Sequence, residues 1–351
     1  MKIFGIGDLL IPQEYIQKGF APFRDAGWQV ETIQWELENY EELQNINLLV
    51  ETKGSEAYEV DEAILSAAED ADIIITQFCP ITKKFIDRCG NLKAIGVLRG
   101  GIENVNLEYA TEKGILVFNT PGRNSNAVAD FTVGMILSVA RNIAMAHANL
   151  KEGKWVRDYD NAGAVPDLYG KTVGIIGLGM IGKKVAKRLN AFDMKIIAYD
   201  PYAKDVPDYV TMVSLEELMK TSMFVTLHGR LTEDNRHMIN AEMIGLMRPD
   251  SYLINTARSG LVDEKALYEA LKDHKIMGAA LDVFDEEPPG KDYPLVALDN
   301  VTVTPHLAGG TTDAFTNSPV LLSEEMIKLT EKKSSPYLVN KDIFDTAIEK
   351  F

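Results

Sequence analysis

Residues 171–182 read Lys-Thr-Val-Gly-Ile-Ile-Gly-Leu-Gly-Met-Ile-Gly, and the run Lys-Ile-Ile-Ala-Tyr that follows ends on Asp200. Glycines in this spacing suit a turn that wraps a dinucleotide. Gly177 permits the tight turn, Gly179 lets the backbone approach a pyrophosphate, and Gly182 lets a helix pack close to the preceding strand. The phosphates would sit at that helix's N-terminus, on the N–H groups of Met180 and Ile181, where the dipole favours an anion. Asp200 is placed to accept hydrogen bonds from the adenosine ribose. A 2′-phosphate would meet like charge there, so NAD is expected rather than NADP. A glycine motif alone is weak. Here an apolar strand (Val173, Ile175, Ile176) precedes it and an amphipathic helix (Val185, Ala186, Leu189) follows.

Three further polar residues each stand just beyond an apolar, strand-like run. Arg258 follows Ser-Tyr-Leu-Ile-Asn, Glu287 follows Ala-Leu-Asp-Val-Phe, and His306 follows Val-Thr-Val-Thr. The carboxyl ends of strands are where doubly wound sheets place function. Alone, each would be an ordinary solvated charge or loop residue. Together they form a set of the right chemistry: a guanidinium for a carboxylate, and a histidine with an acid.

These residues need a scaffold, and the hydrophobic pattern supplies two. Before residue 120, strands are expected at Lys2–Gly7, Trp28–Ile33, Ala71–Gln77, Leu92–Leu98 and Gly114–Phe118, with helices between, including Asp61–Glu69 and Thr82–Arg88. From Lys171, six strands are expected: the one leading into the glycine turn, then Lys195–Tyr199, Met223–Leu227, Ser251–Asn255, Ile276–Leu281 and Val301–Thr304. Asn124–Glu152 is apolar at helical spacing without an internal proline, and reads as one helix running from one domain into the next. Gly153–Gly170 is loop-like yet carries Trp155 and Tyr159. It suits either a subunit-contact arm or a loop packed on its own domain. Asp313–Leu329 reads as a helix returning to the first domain, and the residues from Glu331 as a surface tail. The fold class is therefore α/β: two Rossmann-like or flavodoxin-like parallel-sheet domains with a cleft between them. The domains expected are residues 1–123 plus 313–351, a discontinuous substrate domain, and 124–312, an NAD-binding Rossmann domain.

Composition sets outer limits. The chain is 46% apolar and its net charge is −16, which argues against non-specific binding to nucleic acid or anionic lipid. Cys79 and Cys89 have no metal spacing, and no other cluster does, so no metal is expected and a reduced, cytoplasmic setting is the simple reading. The N-terminal apolar run is broken by Asp8 and is too short for a signal peptide. No run approaches ~18 uninterrupted apolar residues, so no membrane helix is expected.

Over roughly residues 70–315 the chain resembles the D-isomer-specific 2-hydroxyacid dehydrogenases. The motifs that carry this are Gly-Leu-Gly-Met-Ile-Gly, Leu227-His-Gly-Arg-Leu-Thr, Ile254-Asn-Thr-Ala-Arg-Ser-Gly-Leu-Val-Asp, Ala280-Leu-Asp-Val-Phe with Glu286-Glu-Pro, and Thr304-Pro-His-Leu-Ala-Gly. The resemblance implies hydride transfer between NAD(H) and a small 2-keto or D-2-hydroxy acid. It implies that Arg258 holds the substrate carboxylate and polarises the carbonyl, that His306 gives or takes the proton, and that Glu287 is the acid paired with it. It places Thr256, Ala257 and Asp282 along the nicotinamide half, with Asp282 on the carboxamide, and Val128 nearby on the inter-domain helix, though a valine there is also plain core. In Leu98-Arg-Gly-Gly-Ile-Glu it implies that Gly100 and Gly101 offer backbone N–H groups to the substrate carboxylate. Arg99 is open to two readings, a second acidic group of the substrate or a structural ion pair; the former is the expectation.

Three positions depart from the family pattern. Glu103 replaces the usual Asp, Asp130 the usual Glu, and Arg230 the usual proline beside the adenine edge, where an arginine could reach a 2′-phosphate. The family also implies a homodimer through the NAD-binding domain. The rival reading is an NADH-sensing protein of the corepressor type with little turnover. A formate-type enzyme is disfavoured, because that branch carries glutamine where Glu287 stands.

Overall fold

The computed structural model describes residues 1–351, and the chain divides into two compact units: Met1–Arg123 with Thr311–Phe351, and Asn124–Gly310. The first unit holds a five-stranded parallel sheet: β1 (Lys2–Gly7), β2 (Gln29–Gln34), β3 (Ile73–Thr76), β4 (Ala94–Val97) and β5 (Leu116–Phe118), in the order β2-β1-β3-β4-β5. β3 (Ile-Ile-Ile-Thr) and β4 are buried throughout, as strands covered on both faces must be. Strand order reverses between β1 and β3, so the crevice beyond their carboxyl ends is the natural ligand position.

The helix Thr312–Met326 closes one face of this unit. It packs against Gln13–Gly19 so closely that a side chain on Gly19 would lie 2.5 Å from Pro319. The residues beyond Glu331 are not a surface tail. Leu338 bridges antiparallel to Phe118. Asn340 takes the Val117 N–H at 2.8 Å and gives to the Ile115 carbonyl at 2.9 Å. Leu338, Ala347 and Ile348 are buried. The segment covers the open edge of β5, which would otherwise expose unpaired backbone; its polar composition hid the few apolar anchors.

The second unit holds seven parallel strands, one more than expected: β6 (Thr172–Ile176), β7 (Lys195–Tyr199), β8 (Val210–Met212), β9 (Phe224–Leu227), β10 (Tyr252–Asn255), β11 (Gly278–Leu281) and β12 (Val301–Val303). Their order is β12-β11-β10-β9-β6-β7-β8, with the reversal between β6 and β9. The extra strand, β8, is a short edge strand whose Thr211 and Met212 face solvent, so it shows neither the length nor the apolar run of its neighbours.

The segment 124–152 is not one helix. It is Ser125–Ala140 and Ile143–Lys151, bent by 67° at Asn142, whose φ of 55° is left-handed. Asparagine is among the few residues that adopt that conformation readily. Both helices lie within the second unit. The first is packed into its core through residues such as Ala129, Val133 and Ile136; the second buries none of its side chains.

Candidate active site

The glycine turn leaves β6 with Gly177 at φ 93°. A side chain there would lie 2.5 Å from the Gly229 nitrogen, and one on Gly182 would lie 2.1 Å from the Gly177 carbonyl oxygen. Glycine is therefore required at both points. Gly179 differs: nothing in the protein lies within 4 Å of where its side chain would be. The open side of the turn faces free space at the start of the helix Met180–Asn190, which has no side-chain cap and no acid in its first turn. The N–H groups of Met180 and Ile181 are thus free for an anion, and the donor set fits a dinucleotide's pyrophosphate.

Asp200, at the end of β7, accepts from the Leu178 N–H and the Tyr202 N–H, each at 2.8 Å. The carboxylate is fixed beside the turn and keeps lone pairs to offer. Behind the turn, His228 has its Nε2 3.0 Å from the Thr226 hydroxyl, while its Nδ1 is buried without a partner. Burial holds its pKa down at about 3, so the ring is neutral and adds no charge to the phosphate site.

Two of the residues expected on the nicotinamide are used otherwise. Asp282 is fully buried. Its Oδ1 accepts from the Thr304 hydroxyl at 2.6 Å and the Leu307 N–H at 2.9 Å, and its Oδ2 from the Ala308 N–H at 2.9 Å. It is enclosed, and its three bonds hold the loop that carries His306. Thr256, also buried, has its hydroxyl 2.8 Å from that of Thr132, which in turn donates to the Val128 carbonyl. Its side chain is tied to the helix Ser125–Ala140, leaving only backbone to face a ligand. Val128 is core. Ala257 is half-buried, with its N–H held by the Asn255 side chain at 3.0 Å.

Glu287 and His306 meet. His306 Nδ1 lies 2.7 Å from Glu287 Oε2, and the Phe284 N–H donates to Glu287 Oε1 at 3.0 Å. The hydrogen bond to Glu287 raises the His306 pKa above its ordinary value; burial opposes the rise. Burial pushes Glu287 up, but the bonds from His306 and Phe284 and the charges of His306 and Arg258 outweigh it and hold the carboxyl below its usual range. Both groups feel the positive charge of Arg258. Arg258 is exposed, with one nitrogen on the Ala257 carbonyl at 2.7 Å. With Nδ1 committed, Nε2 is the ring nitrogen left free to exchange a proton.

His306 sits at φ 53°, a left-handed conformation costing about 1 kcal/mol or more for a non-glycine residue. The three bonds to Asp282 hold the loop around it. The Glu287 loop is fastened as well. Glu264 accepts from the Asp285 N–H at 2.9 Å and from the Tyr293 hydroxyl. Sequence reading missed Glu264 and Tyr293, and nothing in their spacing signals a shared bond.

In the first unit, Gly100 is exposed, and the nearest atom to an added side chain would be the Pro121 Cα at 4.0 Å. A side chain on Gly101 would lie 2.2 Å from Glu103 Oε2. Arg99 is not free for substrate. It is largely buried and bonds Asn47 at 2.6 Å, Glu51 at 2.6 Å and Glu103 at 2.8 Å, with its guanidinium over the Phe78 ring. Two carboxylates neutralise it, so the structural ion pair is the correct alternative.

A family model described as D-isomer specific 2-hydroxyacid dehydrogenase, NAD binding domain, matches residues 133–308. The chain is 42% identical to the hydroxypyruvate reductase of Thermotoga maritima over 78% of its own length and 89% of that protein. The chain belongs to the D-isomer-specific 2-hydroxyacid dehydrogenase family. It is also 45% identical to the D-3-phosphoglycerate dehydrogenase of Methanocaldococcus jannaschii, over 80% of this chain but only 53% of that longer protein, so it spans about half of that relative. A solved D-2-hydroxyisocaproate dehydrogenase superposes with a TM-score of 0.75 at 26% identity, covering 97% of this chain and 99% of that one. As a D-2-hydroxyacid dehydrogenase the chain is an NAD-dependent oxidoreductase.

Proposed function

We propose that the chain interconverts a small 2-keto acid and its D-2-hydroxy acid, with His306 as the proton donor in reduction and the base in oxidation. The observation that carries this is the Glu287–His306 pair at 2.7 Å. When bound, the nicotinamide supplies or accepts the hydride. The chain does the rest. Arg258 presents a planar fork to the substrate carboxylate and draws electron density from the keto oxygen. We also assign the amides of Gly100 and Gly101 to a substrate carboxylate, as the family resemblance implies. Glu287 raises the His306 pKa and so favours the protonated ring; a general acid contributes about 10²–10⁴ in rate. Gly179, Met180 and Ile181 meet the pyrophosphate on a turn shaped by Gly177 and Gly182, and Asp200 holds the ribose, which favours NAD. The backbone at Thr256 and Ala257 lines the nicotinamide.

The dehydrogenase reading is favoured over a sensing protein, because the matched relatives are named reductases and dehydrogenases. The substrate belongs to the class those names describe: glyoxylate-, hydroxypyruvate-, phosphoglycerate- or sugar-acid-type. We place the chain in the reducing cytoplasm, in keeping with free, buried Cys79 and Cys89. We further propose a homodimer through the second unit, supported by the solvent-facing Ile143, Leu150, Trp155 and Tyr169. The test is NADH oxidation against glyoxylate, hydroxypyruvate, pyruvate, 2-ketoglutarate, phosphohydroxypyruvate and four-carbon sugar-acid ketones. Steady turnover with at least one acid is expected. Tight NADH binding with negligible turnover on all of them would favour the sensor.

A further inference from the structure

Two arginines stand near the carboxyl edge of the β1–β5 sheet. Arg99 is neutralised by its neighbours; Arg123 is not. No carboxylate lies within ion-pair distance of it. Its polar contact is a long one, from Nη1 to the Ala314 carbonyl at 3.5 Å, and its guanidinium lies over the Phe315 ring at 5.1 Å. Burial draws its pKa down to about 10, Arg99 adds like charge, and Asp8 opposes both without bonding it. A largely buried cation in this state is costly unless something pairs it.

Other polar groups at the carboxyl edge of this sheet are unsatisfied. Asp8, just past β1, takes the Leu10 and Ile11 N–H groups on one oxygen, each at 2.9 Å, while its other oxygen is buried without a partner. Gln77, just past β3, is buried with neither amide atom bonded. Interiors normally pair such groups. These two residues flank the point where strand order reverses, the position at which open α/β sheets take ligands. Gly100 abuts Pro121, close in sequence to Arg123, so the loop that presents carboxylate-binding amides lies against the segment leading to Arg123.

We propose that Arg123 is a substrate-specificity residue that engages a second oxyanion, a terminal carboxylate or phosphate, at the far end of the keto acid. A planar fork with free donors matches either group. The proposal rests on the keto-acid reading above and narrows it to acids with an anion at each end.

The experiment compares kcat/KM within pairs matched in carbon frame: phosphohydroxypyruvate against hydroxypyruvate, and 2-ketoglutarate against 2-ketovalerate. Wild type is expected to prefer the anionic member of one pair by about 30-fold or more, as for a buried charge that would otherwise stay unpaired. The pair that shows it tells phosphate from carboxylate. Arg123→Gln should collapse that ratio, and Arg123→Lys should keep part of it, since the charge survives without the fork. A wild type that turns over the neutral members equally well overturns the proposal and leaves the keto-acid reading standing. So does an Arg123→Gln enzyme that keeps the ratio. Should that variant not fold, the wild-type ratios and the lysine variant decide. No turnover with any acid overturns the keto-acid reading and this proposal together.

Discussion

At the scale of single residues, chemistry is set by which protonation state each group is held in. The carboxylate of Glu287 favours the imidazolium of His306, and the histidine in turn holds the carboxyl ionised. Reduction needs the protonated ring. Its rate should therefore be level at low pH and fall as pH rises through the raised pKa of His306, while oxidation shows the mirror image. Glu287→Gln removes the charge but keeps a hydrogen-bonding side chain. The break in the reduction profile should move to lower pH, and kcat near neutrality should fall by about 10-fold or more. A pH–rate series on both enzymes checks this; an unmoved break would show that the pair does not set the titration.

At the scale of elements, loops decide which side chains can act. Much of this was legible in the sequence. Gly177, Gly182 and Asp200 could be placed because steric need and charge fix residue type at those points. Arg258, Glu287 and His306 stood out because each follows a strand-like run and matches the family's motifs; the structure brings Glu287 and His306 together. What could not be read was which loop groups bond one another. Asp282 looked like a ligand contact because it ends β11 at the carboxyl edge, but its oxygens are used by Thr304, Leu307 and Ala308. Arg99 looked free until the fold brought Glu51 and Asn47 to it from distant sequence. The bend at Asn142 and the edge strand β8 were missed because a single left-handed residue and a three-residue strand leave no periodic trace. Asp282 gives a prediction at this scale. Asp282→Ala leaves the Leu307 and Ala308 N–H groups unpaired, so stability should fall by about 1–3 kcal/mol. The loss of kcat should far exceed any change in NADH affinity if, as we propose, the residue acts by holding the His306 loop. Thermal unfolding, NADH titration and turnover on one preparation separate the two roles; a selective loss of NADH binding would return Asp282 to the cofactor.

At the scale of the whole molecule, two sheets of different strand order each place polar groups at a reversal point: the side chains of Asp8 and Gln77 in one, the backbone of the glycine turn in the other. A net charge of −16 repels an anionic substrate at long range, so local cations must offset it, a role we propose for Arg258. The second unit leaves Ile143, Leu150 and Trp155 in solvent, on a helix with no buried residue and the loop after it. Sedimentation of the 38.9 kDa chain is expected to show a dimer, and Trp155→Glu to shift it toward monomer. A wild-type monomer at micromolar concentration would rule the proposed interface out.

The most direct measurement is steady-state reduction by the His306→Ala enzyme of whichever keto acid the wild type uses best, with NADH affinity measured alongside. The ring that exchanges the proton would be gone while the glycine turn stays intact. We expect kcat to fall by about 10²-fold or more with NADH binding little changed. Turnover at the wild-type rate in that variant would contradict the assignment of His306, and with it the proposed mechanism.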